Sequence, residues 1–377
     1  MLNKFLKIQD TVDVYIKDLE QDEKVIVTFH KMTTRQRVEI ITKKNVAEFL
    51  ALLDGKKSVI EILNKLGEFS NEDAEKLITY LSNEHLLVDT TLDIDIDQRY
   101  DRQINYFDDM ILDRRGAETQ KLLASKNIVL LGCGAIGSTI AEILVRAGVH
   151  SLTLVDFKKI TKSNIDLHLF ATKENIGHPK VQALSEYLTK INHRISIKTF
   201  NEKLLPNTDL SKWIDNKVDL VINSCDEPYI GHTSLKVGRY LHHFKIPLYV
   251  AGGFDAHLMS SGELINPPFT PCIDCSQRTF TKALEGWKPT YSYINASDVI
   301  VEDTQLDSKN NYTVGGAGGL TMMSGFSANL SCIKILQFLC EDSSFDHTPI
   351  RYEYLPNHGV MTEFVLSRQE ECNVCNK

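Results

Sequence analysis

Residues 127–156 read NIVLLGCGAIGSTIAEILVRAGVHSLTLVD. Asn127 to Leu131 form an apolar run of strand length. Gly132, Gly134 and Gly137 follow in the spacing GxGxxG. Ile136, Ile140, Ile143, Leu144 and Ala147 then recur on one side of a helix from Ala135 to Ala147, with Gly148 placed to stop it. Ser151 to Val155 make a second strand that ends in Asp156. Glycines let the backbone approach a phosphate, and a helix N-terminus offers free N–H groups and a positive dipole. An acid about 20 residues downstream can accept hydrogen bonds from ribose hydroxyls. A ligand-free tight turn would also use glycines. The flanking strand and the acid favour a nucleotide, although they do not say which one.

Outward from this unit, the alternation of strand and helix continues. His178-Pro179-Lys180 opens a helix over Val181 to Ile191, where proline suits the start and Lys180 can meet a phosphate. Val218 to Asn223 is a strand ending in Ser224-Cys225-Asp226, followed by a helix to Phe244 and a strand from Pro247 to Ala251. The pattern predicts a Rossmann-like α/β fold with a doubly wound, mostly parallel sheet. Asp226 lies just past a strand's carboxyl end, where such sheets bind ligands, and is a candidate Mg²⁺ ligand. Cys272-x-x-Cys275 and Cys372-x-x-Cys375 supply four thiolates, the donor set of a structural Zn²⁺ site. A redox CxxC is the alternative. A closed Cys₄ site has no open position for catalysis. Residues 280–312 read as an irregular crossover loop, and the glycine cluster 315–319 as a ligand approach or a hinge.

Residues 1–90 read as a small winged-helix-like α+β domain. Strands are expected at Val12–Ile16, Val25–Phe29 and Arg37–Thr42, and helices at Asn45–Leu53, Val59–Leu66 and from Ser70 to Ser82. Residues 91–126 form an acidic linker and an arm, a helical segment carrying Arg99-Tyr100-Asp101-Arg102-Gln103. Paired arginines can bind phosphate or make a surface ion pair. Residues 127–377 form the larger domain. A net charge of −8 argues against a nucleic-acid partner. No run of 18 apolar residues offers a membrane span, and a cytoplasmic setting is expected.

Five motifs stand in order: RYDRQ (99–103), GCGAIG (132–137) with Asp156, SN (163–164) with GHPK (177–180), SCD (224–226), and the paired CxxC. Together they resemble the ThiF/MoeB family of ubiquitin-activating-type adenylating enzymes. The subgroup most similar is that of the microcin C maturation adenylyltransferase and related peptide-modifying enzymes. The front domain resembles the PqqD-like precursor-peptide recognition modules, which add a leader peptide to a sheet edge; a structural or dimerising winged helix is the alternative. The resemblance implies ATP as nucleotide, with a substrate carboxylate attacking its α-phosphorus to give an acyl-adenylate and pyrophosphate. It implies that Asp156 holds the ribose, Asn164 and Lys180 the phosphates and Asp226 the Mg²⁺. Arg102 would serve the partner's ATP in a homodimer, and the resemblance implies a precursor peptide as the bound partner, with a separate downstream modifying enzyme as a further one.

Two features depart from the family pattern. Leu167, in SNIDLHLF, stands where a phosphate-binding arginine is expected. Residues 276–331 contain no cysteine, so no thioester step is expected in the crossover. The reading is therefore adenylation of a carboxylate or amide on a ribosomally made peptide, in natural-product or bacteriocin maturation. A non-catalytic leader-binding partner of a cyclising enzyme and a sulfur-carrier-protein adenylyltransferase are the alternatives. A nicotinamide dehydrogenase explains the glycine turn alone.

Overall fold

A computed structural model describes all residues except 20–22, 68, 92–96, 112, 228–229, 253–258, 284–319, 341–346 and 376–377. The chain forms two compact units, the first comprising Met1–Leu123, the second beginning at Ala124.

In the first unit, β1 (Phe5–Ile8), β2 (Val12–Asp18), β3 (Lys24–Lys31) and β4 (Arg37–Lys43) precede α1 (Lys44–Ala51). Then come β5 (Asp54–Ser58), α2 (Val59–Leu66), α3 (Asn71–Asn83) and β6 (Leu87–Asp89). Strands β2, β3 and β4 form an antiparallel meander, and β5, β1 and β6 a second antiparallel sheet. In β3, Val25, Val27 and Phe29 alternate inward and are fully buried, the period-2 signature of a sheet with one covered face. They join Phe49, Ile62, Ile78, Leu81 and Leu86 in one core. Helix α2 starts in a capping box: Ser58 Oγ accepts from Glu61 N–H, while the Glu61 carboxylate accepts from Ser58 N–H at 2.7 Å. Gly67, at φ +69, ends it. The helix expected at Asn45–Leu53 ends at Ala51, and β5, which the sequence does not reveal, starts at Asp54. This strand and β1 are short and lysine-bearing, so they lack the apolar alternation that reveals β3. The arm is two helices, α4 (Asp101–Met110) and α5 (Gly116–Ala124). The Asp108 carboxylate accepts from Gly116 N–H at 2.6 Å, and a Cβ on Gly116 would lie 2.1 Å from the Ile104 carbonyl oxygen. That approach requires glycine where the chain turns between the helices.

In the second unit the order is β7 (Asn127–Leu131), α6 (Ala135–Ala147), β8 (Ser151–Val155), α7 (Lys180–Ile191), β9 (Ser196–Phe200), β10 (Leu220–Asn223), α8 (Ile230–Phe244), β11 (Leu248–Val250) and β12 (Glu263–Ile265). Then follow α9 (Ile273–Ala283), α10 (Thr321–Leu339), β13 (Ile350–Leu355) and β14 (Val360–Val365). The six-stranded sheet runs β12-β11-β10-β7-β8-β9, parallel except for the antiparallel edge strand β12. The chain leaves β7 toward β8 and β9, then returns to β10 on the other side. The carboxyl ends of β7 and β10 therefore flank the switch point where such sheets open a crevice. Residues 280–283 belong to α9, not to an irregular loop. The rest of the expected crossover, 284–312, and the glycines 315–319 lie outside the described residues.

Strands β13 and β14 form a hairpin that carries Arg351 into the interior. Arg351 is fully buried and pairs with Glu263 of β12 at 2.9 Å and with Glu353 at 2.8 Å. Burial pushes the Glu263 carboxyl pKa up, and Arg351 opposes that push. Removing one partner of a buried pair strands the other charge. Arg351→Met should therefore lower stability by about 3 kcal/mol or more in urea unfolding, and adding Glu263→Leu should recover part of the loss.

Candidate functional site

The site grows from the ends of β7, β8 and β10. Gly132 leaves β7 at φ +93, a left-handed conformation that suits glycine. A Cβ there would sit 2.9 Å from the Ser224 backbone. A Cβ on Gly137 would lie 2.1 Å from the Gly132 oxygen and 2.4 Å from Ser224 Oγ. Ser224 Oγ donates to the Gly132 carbonyl at 2.9 Å, tying the two strand ends together. Gly134 differs. Its φ of −74 strains nothing, and no atom lies within 4 Å of its would-be Cβ, so it leaves open space at the start of α6. That opening and the helix N-terminus suit an anion.

Asp156 is buried at the end of β8. Cys133 N–H donates to one carboxylate oxygen and Lys158 N–H to the other, both at 2.7 Å. The acid thus shapes the glycine turn, and each oxygen keeps a lone pair for a further donor. Asp226, by contrast, is exposed, and no hydrogen bond or ion pair engages its carboxylate among the described residues. Lys180, at the start of α7, is 6% exposed. Burial lowers its pKa; Asp156 and Asp226 counter that, and Lys158 adds to it. Burial also works against the Lys158 charge, but the ion pair with Glu227 overrides it and raises the pKa. Lys203 reaches the same Glu227 at 3.7 Å and lies over the Phe157 ring. Asp156, Asp226, Lys158 and Lys180 thus form one electrostatic cluster at the switch point.

Asn164 sits in the loop after β8 and is half-buried. Its Oδ1 accepts from Thr161 N–H at 3.0 Å, which leaves its amide N–H groups as donors. Leu167 is half-buried in the same loop, and the neighbouring His168 is 6% exposed. Lys158, Glu227 and His168 were not singled out from the sequence. Lys158 had a signal, since two lysines directly follow Asp156. His168 had none, because its surroundings come from α7 and the segment after β8. Arg102 belongs to α4 of the first unit.

The four cysteines of the CxxC pairs converge. Their sulfurs all lie within 4.8 Å of one another, with Cys272–Cys372 at 3.6 Å and Cys275–Cys375 at 3.7 Å. A tetrahedral ion with bonds of about 2.3 Å to sulfur has edges of about 3.8 Å, so this donor set fits one. Gln369 N–H donates to Cys275 Sγ at 3.4 Å. Asp274, inside the first pair, is clamped by Arg239 of α8 through both carboxylate oxygens. The cluster could hold a metal ion and join α9 to the C-terminal tail.

A family model described as "ThiF family" matches residues 100–374, which contain the crevice and three of the four clustered cysteines, Cys272, Cys275 and Cys372. The chain belongs to the ThiF family. It is 30% identical over 185 residues to the molybdopterin-synthase adenylyltransferase of Escherichia coli K12, covering 48% of this chain and 68% of that enzyme. The Haemophilus influenzae enzyme of the same name is 28% identical over 153 residues, covering 41% of this chain and 61% of its own. Among solved structures, E. coli MccB with ATP matches with a TM-score of 0.71 at 16% identity, covering 99% of both chains. That likeness shows a shared fold over the whole length. As a ThiF member with adenylyltransferase relatives, the chain is an ATP-dependent adenylyltransferase. Among the described residues no helix is long and apolar enough to cross a membrane.

Gly137→Ala forces its Cβ into the Gly132 carbonyl and Ser224. We expect a loss of about 1–3 kcal/mol in stability and a sharp loss of ATP affinity, read by thermal unfolding with and without ATP.

Proposed function

We propose that the chain adenylates a carboxylate or amide of a ribosomally made precursor peptide, in the maturation of a peptide natural product or bacteriocin. For a carboxylate, one oxygen attacks the α-phosphorus of ATP. The bond from that phosphorus to the bridging oxygen breaks, and pyrophosphate leaves. The observation that carries the reading is coverage. The likeness to MccB takes in 99% of this chain, front unit included, whereas the molybdopterin-synthase adenylyltransferase match stops at 48%. One MccB structure is described as the Microcin C7 biosynthetic enzyme in complex with N-formylated MccA.

In this reading residues 1–90 recognise the peptide, 91–126 carry the arginine arm and 127–377 adenylate. The meander edge β2, with Tyr15 and Ile16 exposed, suits strand addition. Gly132, Gly134 and Gly137 cradle the phosphates, Asp156 takes the ribose, and Asn164 and Lys180 bind phosphate oxygens. Asp226, exposed beside two lysines, would hold Mg²⁺, which when bound would neutralise charge on the leaving group. Arg102 of one protomer would serve the nucleotide bound by the other in a homodimer. Cys272, Cys275, Cys372 and Cys375 would hold Zn²⁺ in a closed, structural site. In this reading the protein works in a reducing compartment such as the cytoplasm, where the four cysteines stay available as thiolates for the ion. The adenylated peptide would pass to a nucleophile, with or without a separate modifying enzyme.

The E. coli relative's name favours a second reading, adenylation of a carrier protein. Leu167 favours a third, leader binding without turnover. One assay separates them: exchange of labelled pyrophosphate into ATP with Mg²⁺ and either the short peptide encoded beside the gene or a β-grasp carrier ending in Gly-Gly. We expect exchange with the peptide, and Asp226→Ala should reduce it at least about 100-fold while peptide binding persists. Exchange with the carrier alone, or none, would refute the proposal. Elemental analysis should find one zinc per chain, and Cys272→Ser or Cys372→Ser should lose it and destabilise the fold.

A further inference from the structure

We propose that His168 is a further phosphate-binding residue of the nucleotide site, replacing the cation that Leu167 does not supply, and that it takes up a proton when ATP binds. The inference rests on the ATP site described above.

The geometry is specific. His168 is 6% exposed, stacked on Phe170 with ring centroids 5.6 Å apart and planes 16° apart. Its Nδ1 is buried and has no hydrogen-bond partner among the described residues. A buried polar atom without a partner is rare in a folded chain and calls for an explanation. The backbone of its loop is well anchored. His168 N–H donates to the Asn164 carbonyl at 2.8 Å, and the Thr321 hydroxyl at the start of α10 donates to the Asp166 carbonyl. The ring is thus held in place while Nδ1 lacks a partner.

The charged groups that act on the ring are Lys180 of α7 and Lys158 from the segment after β8. Asp156 and Asp226 act on those lysines rather than on the imidazole. α10 meets the loop through the neutral Thr321 hydroxyl. Burial first, then Lys180 and Lys158, push the His168 pKa down to about 4, so the ring is neutral at pH 7 without ligand. A polyphosphate near Lys180 reverses the balance. It neutralises the two lysines and adds negative charge close to the ring, and an opposite charge within about 4–6 Å favours the charged form. The imidazole then gains a proton from solvent, and both ring nitrogens become donors. A cation of this kind appears only when its anion is present. A permanent arginine at 167 would instead add a third positive charge beside two buried or half-buried lysines.

The test is calorimetry of ATP binding in buffers of different ionisation enthalpy, between pH 6 and 8, for the full chain and its variants. Comparison at each pH cancels the titration of ATP itself. The native chain should take up more protons than His168→Gln and bind ATP more tightly as pH falls. His168→Gln should bind roughly tenfold more weakly and lose that extra pH dependence. Leu167→Arg added to His168→Gln should restore affinity without restoring uptake. If His168→Gln does not fold, Leu167→Arg alone serves: its added cation should suppress uptake in a folded chain. Equal uptake and affinity in native chain and His168→Gln, or uptake unchanged by Leu167→Arg, overturns the inference. Native protein that binds no ATP overturns the nucleotide site itself, a result distinguishable from binding without uptake.

Discussion

The second unit depends on one close approach, that of the turn after β7 against the end of β10. Gly137 and Gly132 leave room for the Ser224 side chain, whose hydroxyl donates to the Gly132 carbonyl. A Cβ on either glycine would collide with backbone or with that hydroxyl. Because they meet, α6 begins directly past the carboxyl end of the interior strand β7, and its free N–H groups lie at the switch point. The neighbouring strand completes the frame. Asp156, at the end of β8, accepts from Cys133 N–H inside the turn and from Lys158 N–H beyond it.

Two acids at the ends of parallel strands thus do different work, and environment separates them. Asp156 is buried with both oxygens engaged by backbone, so it is part of the frame. Asp226 is exposed and unengaged among the described residues, so its carboxylate is open to solvent or an ion. Lys180 and Lys158 pay for their partial burial through these acids and Glu227. A second constraint operates far along the chain. The four sulfurs bring Cys372 and Cys375 to the start of α9, and the Arg239 clamp on Asp274 ties that helix to α8. The sulfurs that meet come from segments about a hundred residues apart, so this convergence exists only in the folded chain.

Much of this was legible in order along the chain. β7, α6 and β8 appear at nearly their observed bounds, because a buried parallel strand and an amphipathic helix have different apolar periods. The helices of the first unit were legible for the same reason, helped by Ser58 and Ser70 as caps. Strands β1 and β5 were not: β1 is only four residues long, β5 is polar throughout, and both exist by pairing in the sheet β5-β1-β6. The edge strand β12 and the hairpin β13–β14 were missed likewise. Gly132, Gly137, Asp156, Lys180 and Asp226 were singled out from the sequence through motif spacing, and the structure gathers them around one switch point of the sheet. Ser224 was quoted within a motif, but its structural part, filling the space the glycines leave, is visible only in three dimensions.

The amino-acid order alone carries the doubly wound pattern, the glycine turn, the acids at strand ends and a thiolate set suited to one ion. Those features are local, set by period, spacing and residue chemistry within a few tens of residues. Which distant groups meet is a different matter. The pairing of Arg351 with Glu263 and the convergence of Cys272 and Cys275 with Cys372 and Cys375 join residues that no short window contains. Burial sets the charge state of such groups, and burial is a property of the packed chain.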